Sequence, residues 1–193
     1  MDQSLLITTT VTIILALVGY FVTYFNNLRL SQRNDKLDRV NKQLGELYGP
    51  LYALSNSSDI SWKAFRSVNR PGKAYFGEGD PPTEEELKTW RLWITTVFMP
   101  TNQRMYELIL SKSDLLIESE MPEALLLLCA HVTAYQAVLK RWENEDYSEY
   151  ISLINYPSMM VLDYAKDSFQ KLKSEQKTLL EKANFLVPPT KNH

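Results

Sequence analysis

From Leu5 to Phe25 the chain carries 21 residues without one charged side chain, an apolar run punctuated by threonines, one glycine and two tyrosines. That is the length a single helix needs to cross the hydrocarbon core of a bilayer. Beyond Asn26 the pattern changes, and apolar residues recur at spacings of three and four among charged ones. The period is that of helices packed on one side. The pattern therefore predicts an all-α protein: a transmembrane anchor over 1–26, a cytosolic bundle of four to five helices over 27–186, and a mobile tail over 187–193.

A cleaved secretory leader would show a basic start, a shorter apolar core and small residues at its end. Here the only charge before the run is Asp2, and the run closes on Val22-Thr-Tyr-Phe25. A retained anchor is the expectation. Arg29, Arg33, Lys36, Arg39 and Lys42 all follow the span and no Lys or Arg precedes it. Because basic flanks stay on the cytosolic side, the expected topology is single-pass with the amino terminus outside, in the inner membrane if the source is bacterial.

A seam runs through the first third of the chain. Leu37, Val40, Leu44, Leu47, Leu51 and Leu54 alternate by three and four, and the same register carried backward passes through Leu30, Thr23, Gly19, Ala16 and Thr12. Small and hydroxylic residues let helix backbones approach closely in lipid, and leucine fills the seam of a coiled coil in water. Thr12, Ala16, Gly19, Thr23, Leu30, Leu37 and Val40 are thus the candidate face for pairing with a second copy. Leu44 to Leu54 is assigned to packing within the chain, in a juxtamembrane helix over 27–56. Gly49-Pro50 falls inside that helix, where proline removes a donor and crowds the preceding turn, so a kink or boundary is expected.

A second helical segment is expected around Ile60 to Val68, then a loop over 70–82 rich in Pro and Gly. Lys73, Tyr75 and Phe76 form its core, read as the most exposed aromatic group and as a possible partner-contact site. Gly77 and Gly79 lack the residues of a phosphate cradle. Thr83 and Glu86 have the spacing of a reciprocal helix cap. Trp90 and Trp93 read as packing residues, and Pro100 as the point where their helix bends or splits. A further helix is expected to begin with Pro122 in its first turn, and the last from Pro157 to about Lys182.

Composition narrows the chemistry. With 21 basic against 23 acidic side chains the net charge is −2, which leaves no surplus for neutralising a phosphate backbone, so nucleic acid is not an expected partner. One cysteine, Cys129, provides neither a disulfide framework nor a Cys-rich metal site. It sits among leucines that raise a thiol's pKa. His131 has no acidic residue three or four positions away, so a packed histidine is favoured over a general base. Asp163 and Asp167 lie one turn apart without a third ligand. No catalytic residue, metal or cofactor is expected from these groups.

The expected function is a membrane-tethered, non-enzymatic interaction or signalling module. It would act through homo-oligomerisation and a cytosolic or membrane protein partner, with membrane lipid as its surroundings. The alternative is a membrane-perturbing effector of defence or toxin type whose spans oligomerise, motivated by the threonines at 8, 9, 10 and 12.

Overall fold

The computed structural model describes residues 2–76 and 79–184. All regular elements among them are helical: α1 (Gln3–Lys42), a π-helical turn (Gln43–Tyr48), α2 (Gly49–Val68), α3 (Glu84–Trp93), a second π-helical turn (Ile94–Phe98), α4 (Met99–Ser111), a 3₁₀ turn (Ser113–Leu115), α5 (Glu123–Glu143) and α6 (Ser158–Asn184). They fall into two compact units. The described residues up to Asn41 and from Gln176 onward form one, and Lys42–Glu175 forms the other. The tail 187–193 and Gly77 lie outside the described residues.

In the first unit, α1 is long and apolar enough to cross a membrane, and no residue of an 18-residue apolar stretch of it is buried. Ile13, Ile14, Leu15, Leu17 and Val18 are each more than half exposed, so the apolar surface surrounds the helix instead of forming one stripe. A soluble helix would turn such residues inward. The threonine hydroxyls are accounted for locally: Thr8, Thr10, Thr12 and Thr23 donate to the carbonyls of Ser4, Leu6, Thr8 and Gly19 at 2.8–2.9 Å. This back-bonding satisfies each hydroxyl without a second helix. Near the other end of the unit, Gln176 Nε2 donates to Asn41 Oδ1 at 2.7 Å.

Pro50 and Pro100, which lie inside helical runs of the second unit, are handled by the same device. Gly49 N–H donates to the Leu44 carbonyl and Met99 N–H to the Ile94 carbonyl, in each case five residues back and just before Pro50 or Pro100. An α-helical proline would press its ring on the carbonyl four residues earlier. Widening one turn to π spacing displaces that carbonyl and lets the helix continue. The expected break at Gly49-Pro50 is therefore a π turn, and the separate helix anticipated at Ile60–Val68 is the end of α2. Pro100 likewise follows a π turn without ending the helical run.

The core of this unit gathers Leu51 and Phe65 from α2, Trp90 from α3, Met105 and Ile109 from α4, Leu125, Leu128 and Val132 from α5, and Val161 and Ala165 from α6. Its polar complement is a tyrosine relay. The fully buried Tyr48 accepts from Ile117 N–H at 3.0 Å, its hydroxyl lies 3.0 Å from that of Tyr164, and Tyr164 donates to Glu118 Oε2 at 3.0 Å. Burial raises the pKa of both phenols, so both stay protonated and keep donating.

The loop between α2 and α3 corrects one expectation. Tyr75 is buried at 5% exposure, its hydroxyl donates to the Glu86 carbonyl at 2.7 Å, and its ring packs 4.9 Å from that of Trp90. Phe76 is half-buried against the same indole at 5.0 Å. An apolar ring in a short loop gains more from the adjacent core than from solvent. The loop is fastened by Arg70, whose guanidinium is 4% exposed and pairs with Asp80 at 2.9 Å and Glu86 at 3.3 Å. Arg70 itself adopts φ 55°, a left-handed conformation held by these contacts. Glu86 also completes the reciprocal cap with Thr83, and three acidic residues occupy that positive helix end.

Pro122 sits at the cap of α5, one residue outside the helix, at φ −60° and ψ 141°. Its fixed φ suits either place, but the extended ψ puts the first helical residue at Glu123.

Candidate functional site

On the pairing face read from the sequence, Thr12, Ala16, Gly19 and Thr23 are exposed and Leu30 is 42% exposed. Leu37 is half-buried. Val40, at 3% exposure, is covered within its own chain, so it is withdrawn from any surface a second copy can reach. Leu44, Leu47 and Leu51 are buried. Lys73 is exposed and pairs with Asp80 at 2.9 Å, while the rings of Tyr75 and Phe76 are taken up by internal packing.

A different set of residues converges inside the second unit. A cavity of roughly 240 Å³ lies among α2, α3 with its following π turn and α4, α5, and the connector between α5 and α6. Its apolar walls are mostly aromatic, with Trp62, Trp90, Phe98 and Tyr135 among them. Ile151, Asn155 and Ser158 line it as exposed residues and mark its rim. Small-molecule sites share this make-up of apolar walls and a few placed polar groups.

The connector wall is irregular backbone held by side-chain donors. Trp90 Nε1 and the Tyr135 hydroxyl both donate to the Tyr150 carbonyl at 2.9 Å, and Trp142 Nε1 donates to the Glu149 carbonyl at 2.8 Å. His131 Nδ1 lies 2.7 Å from the Ile154 carbonyl. Backbone acceptors partly withdrawn from water need such partners, and four aromatic or imidazole donors provide them here. The cavity shape is thereby fixed from two helices at once.

Two polar groups are left over. Asn102 is 4% exposed, its Oδ1 is buried without a hydrogen-bond partner, and its Nδ2 has only Met99 Sδ at 4.0 Å. Rotating the amide by half a turn matches it less well, because the Met99 thioether has no hydrogen to give the oxygen. His131, 6% exposed and flanked edge-on by Tyr135 and Tyr156, must carry its proton on Nδ1 to donate to a carbonyl. Nε2 is then an acceptor. Burial lowers the His131 pKa, which keeps the ring neutral. Ser55, Ser58 and Asp59 add oxygen atoms from α2, and Asp59 is paired with Lys63 at 2.6 Å.

Sequence reasoning looked for partners of His131 only along its own helix and so missed this grouping. A signal was available in α2, where Ser55, Ser58 and Asp59 interrupt the stripe formed by Leu51, Trp62 and Phe65 at the same helical spacing. Asn102 gave a similar sign between Met99 and Met105. Among the described residues no three His, Cys, Asp or Glu side chains are placed to share a metal ion. Cys129 is half-buried, and burial raises its thiol pKa.

The chain matches no family model, no curated protein and no solved structure.

Proposed function

We propose that the protein is a membrane-tethered, non-enzymatic interaction module, with α1 spanning the bilayer and the remaining helices forming a bundle on the cytosolic face. The observation that carries this reading is the wholly unburied apolar stretch of α1. Apolar surface left in water forgoes about 25 cal/mol per Å² of the stabilisation that removal from water gives. Insertion into lipid recovers it. The five basic residues from Arg29 to Lys42 supply the orientation, and tethering raises the effective concentration of the domain for membrane-bound partners.

Self-association through Ala16, Gly19 and Thr23 belongs to the same proposal. Adding a methyl group at Gly19 meets nothing within 4 Å, so the chain's own packing does not require glycine there. A close helix neighbour in the membrane would. The back-bonded hydroxyls of Thr8, Thr10 and Thr12 favour a tether over a pore, because they leave no donor that calls for a water-filled interface.

Membrane flotation tests the tether. The full chain is expected to float with lipid after alkaline extraction, and a chain lacking residues 3–25 to stay in the soluble fraction. Recovery of the full chain in the extract would overturn the proposal.

A further inference from the structure

We infer that the cavity in the second unit binds a small uncharged aromatic molecule with one O–H or N–H donor, of the phenol or indole class, which donates to Nε2 of His131.

The donor requirement comes from His131. Its Nδ1–H is spent on the Ile154 carbonyl at 2.7 Å, which leaves the Nε2 lone pair as an acceptor. Among the described residues, the sealed side-chain nitrogens and oxygens without a partner belong to Arg33, Arg70, Arg91 and Asn102. Nε2 of His131 makes no hydrogen bond among those residues either, yet it is not one of the sealed atoms, so it keeps surface that a water molecule can touch. Because His131 is 6% exposed and lines this cavity, that surface opens into it. An occupant that excludes water without donating would strand the lone pair, and one that donates satisfies it.

The remaining walls set the rest of the ligand. Trp90 Nε1 and the Tyr135 hydroxyl both donate to the Tyr150 carbonyl, and Ser55 Oγ donates to the Tyr52 carbonyl at 3.1 Å. With their polar ends used inside the protein, Trp90 and Tyr135 join Trp62 and Phe98 in offering aromatic surface. A planar ring packs on such surface in stacked or edge-on arrangements. At roughly 240 Å³ the space takes one ring or two fused rings, given that an apolar cavity of about 150 Å³ accepts benzene.

Charge narrows the class further. Among the described residues no Lys or Arg lines the cavity, so a carboxylate or phosphate would enter without a counter-charge, which burial penalises heavily. Asp59 is already paired with Lys63 at 2.6 Å, and a cationic ligand would have to displace that ammonium. Burial lowers the His131 pKa, which keeps the ring neutral and Nε2 an acceptor. All the lining residues lie within Lys42–Glu175, so binding is independent of whether α1 spans a bilayer.

The test uses the full chain in detergent micelles, labelled with an NMR-active nitrogen isotope. Its two histidines are His131 and His193, so the imidazole nitrogens are followed directly, with His193 as the internal reference. Phenol and indole are titrated, with toluene, benzoate and benzylamine as contrasts. At least one of phenol and indole is expected to bind saturably, to raise Tm and to move the Nε2 resonance of His131 in the direction of an accepted hydrogen bond, while His193 stays in place. His131→Asn keeps an N–H close to the position of Nδ1 and removes Nε2. In that variant the bound compound is expected to weaken about tenfold, with toluene unaffected. Should the variant fail to fold, the Nε2 resonance of the unaltered protein still decides. Saturable binding of neither compound, binding that leaves Nε2 in place, an equal movement with toluene, equal weakening of toluene in the variant, or tighter binding of benzoate or benzylamine than of both overturns the inference.

Discussion

His131 donates from Nδ1 to the carbonyl of Ile154 at 2.7 Å, and this bond ties the middle of α5 to the connector that leads into α6. It also sets the direction of a pH effect. Burial holds the folded-state pKa below the ordinary value of 6.5, so as pH falls through that value the unfolded chain takes up a proton before the folded one does. The contribution is fully present above pH 6.5 and is lost as pH falls toward the folded pKa. Thermal or urea unfolding followed between pH 7.5 and 5 should show a decline of at most about 1.4 kcal/mol per pH unit from this group. The decline should be shallower in His131→Gln. Identical slopes would place the acid sensitivity elsewhere.

Gly49→Ala is expected to destabilise the chain by about 1–3 kcal/mol, as overpacking does. The methyl would collide with the Leu44 carbonyl oxygen, which the π turn brings against it, with the Phe169 ring 3.8 Å away. Met99 occupies the corresponding place before Pro100 and carries a side chain, so it is this local approach, not π geometry in general, that demands glycine. Urea denaturation of the two proteins compares them directly. Gly45→Ala is the control, since a methyl there meets nothing within 4 Å.

Tyr48→Phe should cost about 1–2 kcal/mol, because it removes the acceptor for Ile117 N–H and leaves that donor without a partner. Tyr164→Phe should cost less, since Tyr48 keeps its bond to Ile117 and can still reach Glu118 at 3.4 Å. Chemical denaturation of both variants gives the order. A reversed order would shift the weight of the relay to Glu118.

The helical class and the apolar character of α1 were legible because they rest on period and on the absence of charge over a long window. So was the cap at Thr83, which depends on two residues three apart. The π turns were not, since proline in a helix announces a disturbance without stating whether the chain breaks, kinks or widens. Tyr75 was misread because loop composition argues exposure, while its burial depends on Phe65 and Trp90, ten and fifteen residues away. The cavity was out of reach for the same reason: Asn102, His131 and Ser58 meet only through tertiary packing. Only the polar interruptions of otherwise apolar stripes hinted at it.

Side-specific thiol labelling reads the proposed topology, in which α1 fixes the chain in the membrane with its helical domain inside. In a Cys129→Ser background, single cysteines replace Gln3, ahead of the apolar run, and Leu153, which is fully exposed in the connector. A membrane-impermeant maleimide applied to intact cells is expected to label Gln3→Cys and to spare Leu153→Cys until the membrane is opened. Labelling of Leu153→Cys in intact cells, or its appearance in the soluble fraction, would rule out this topology.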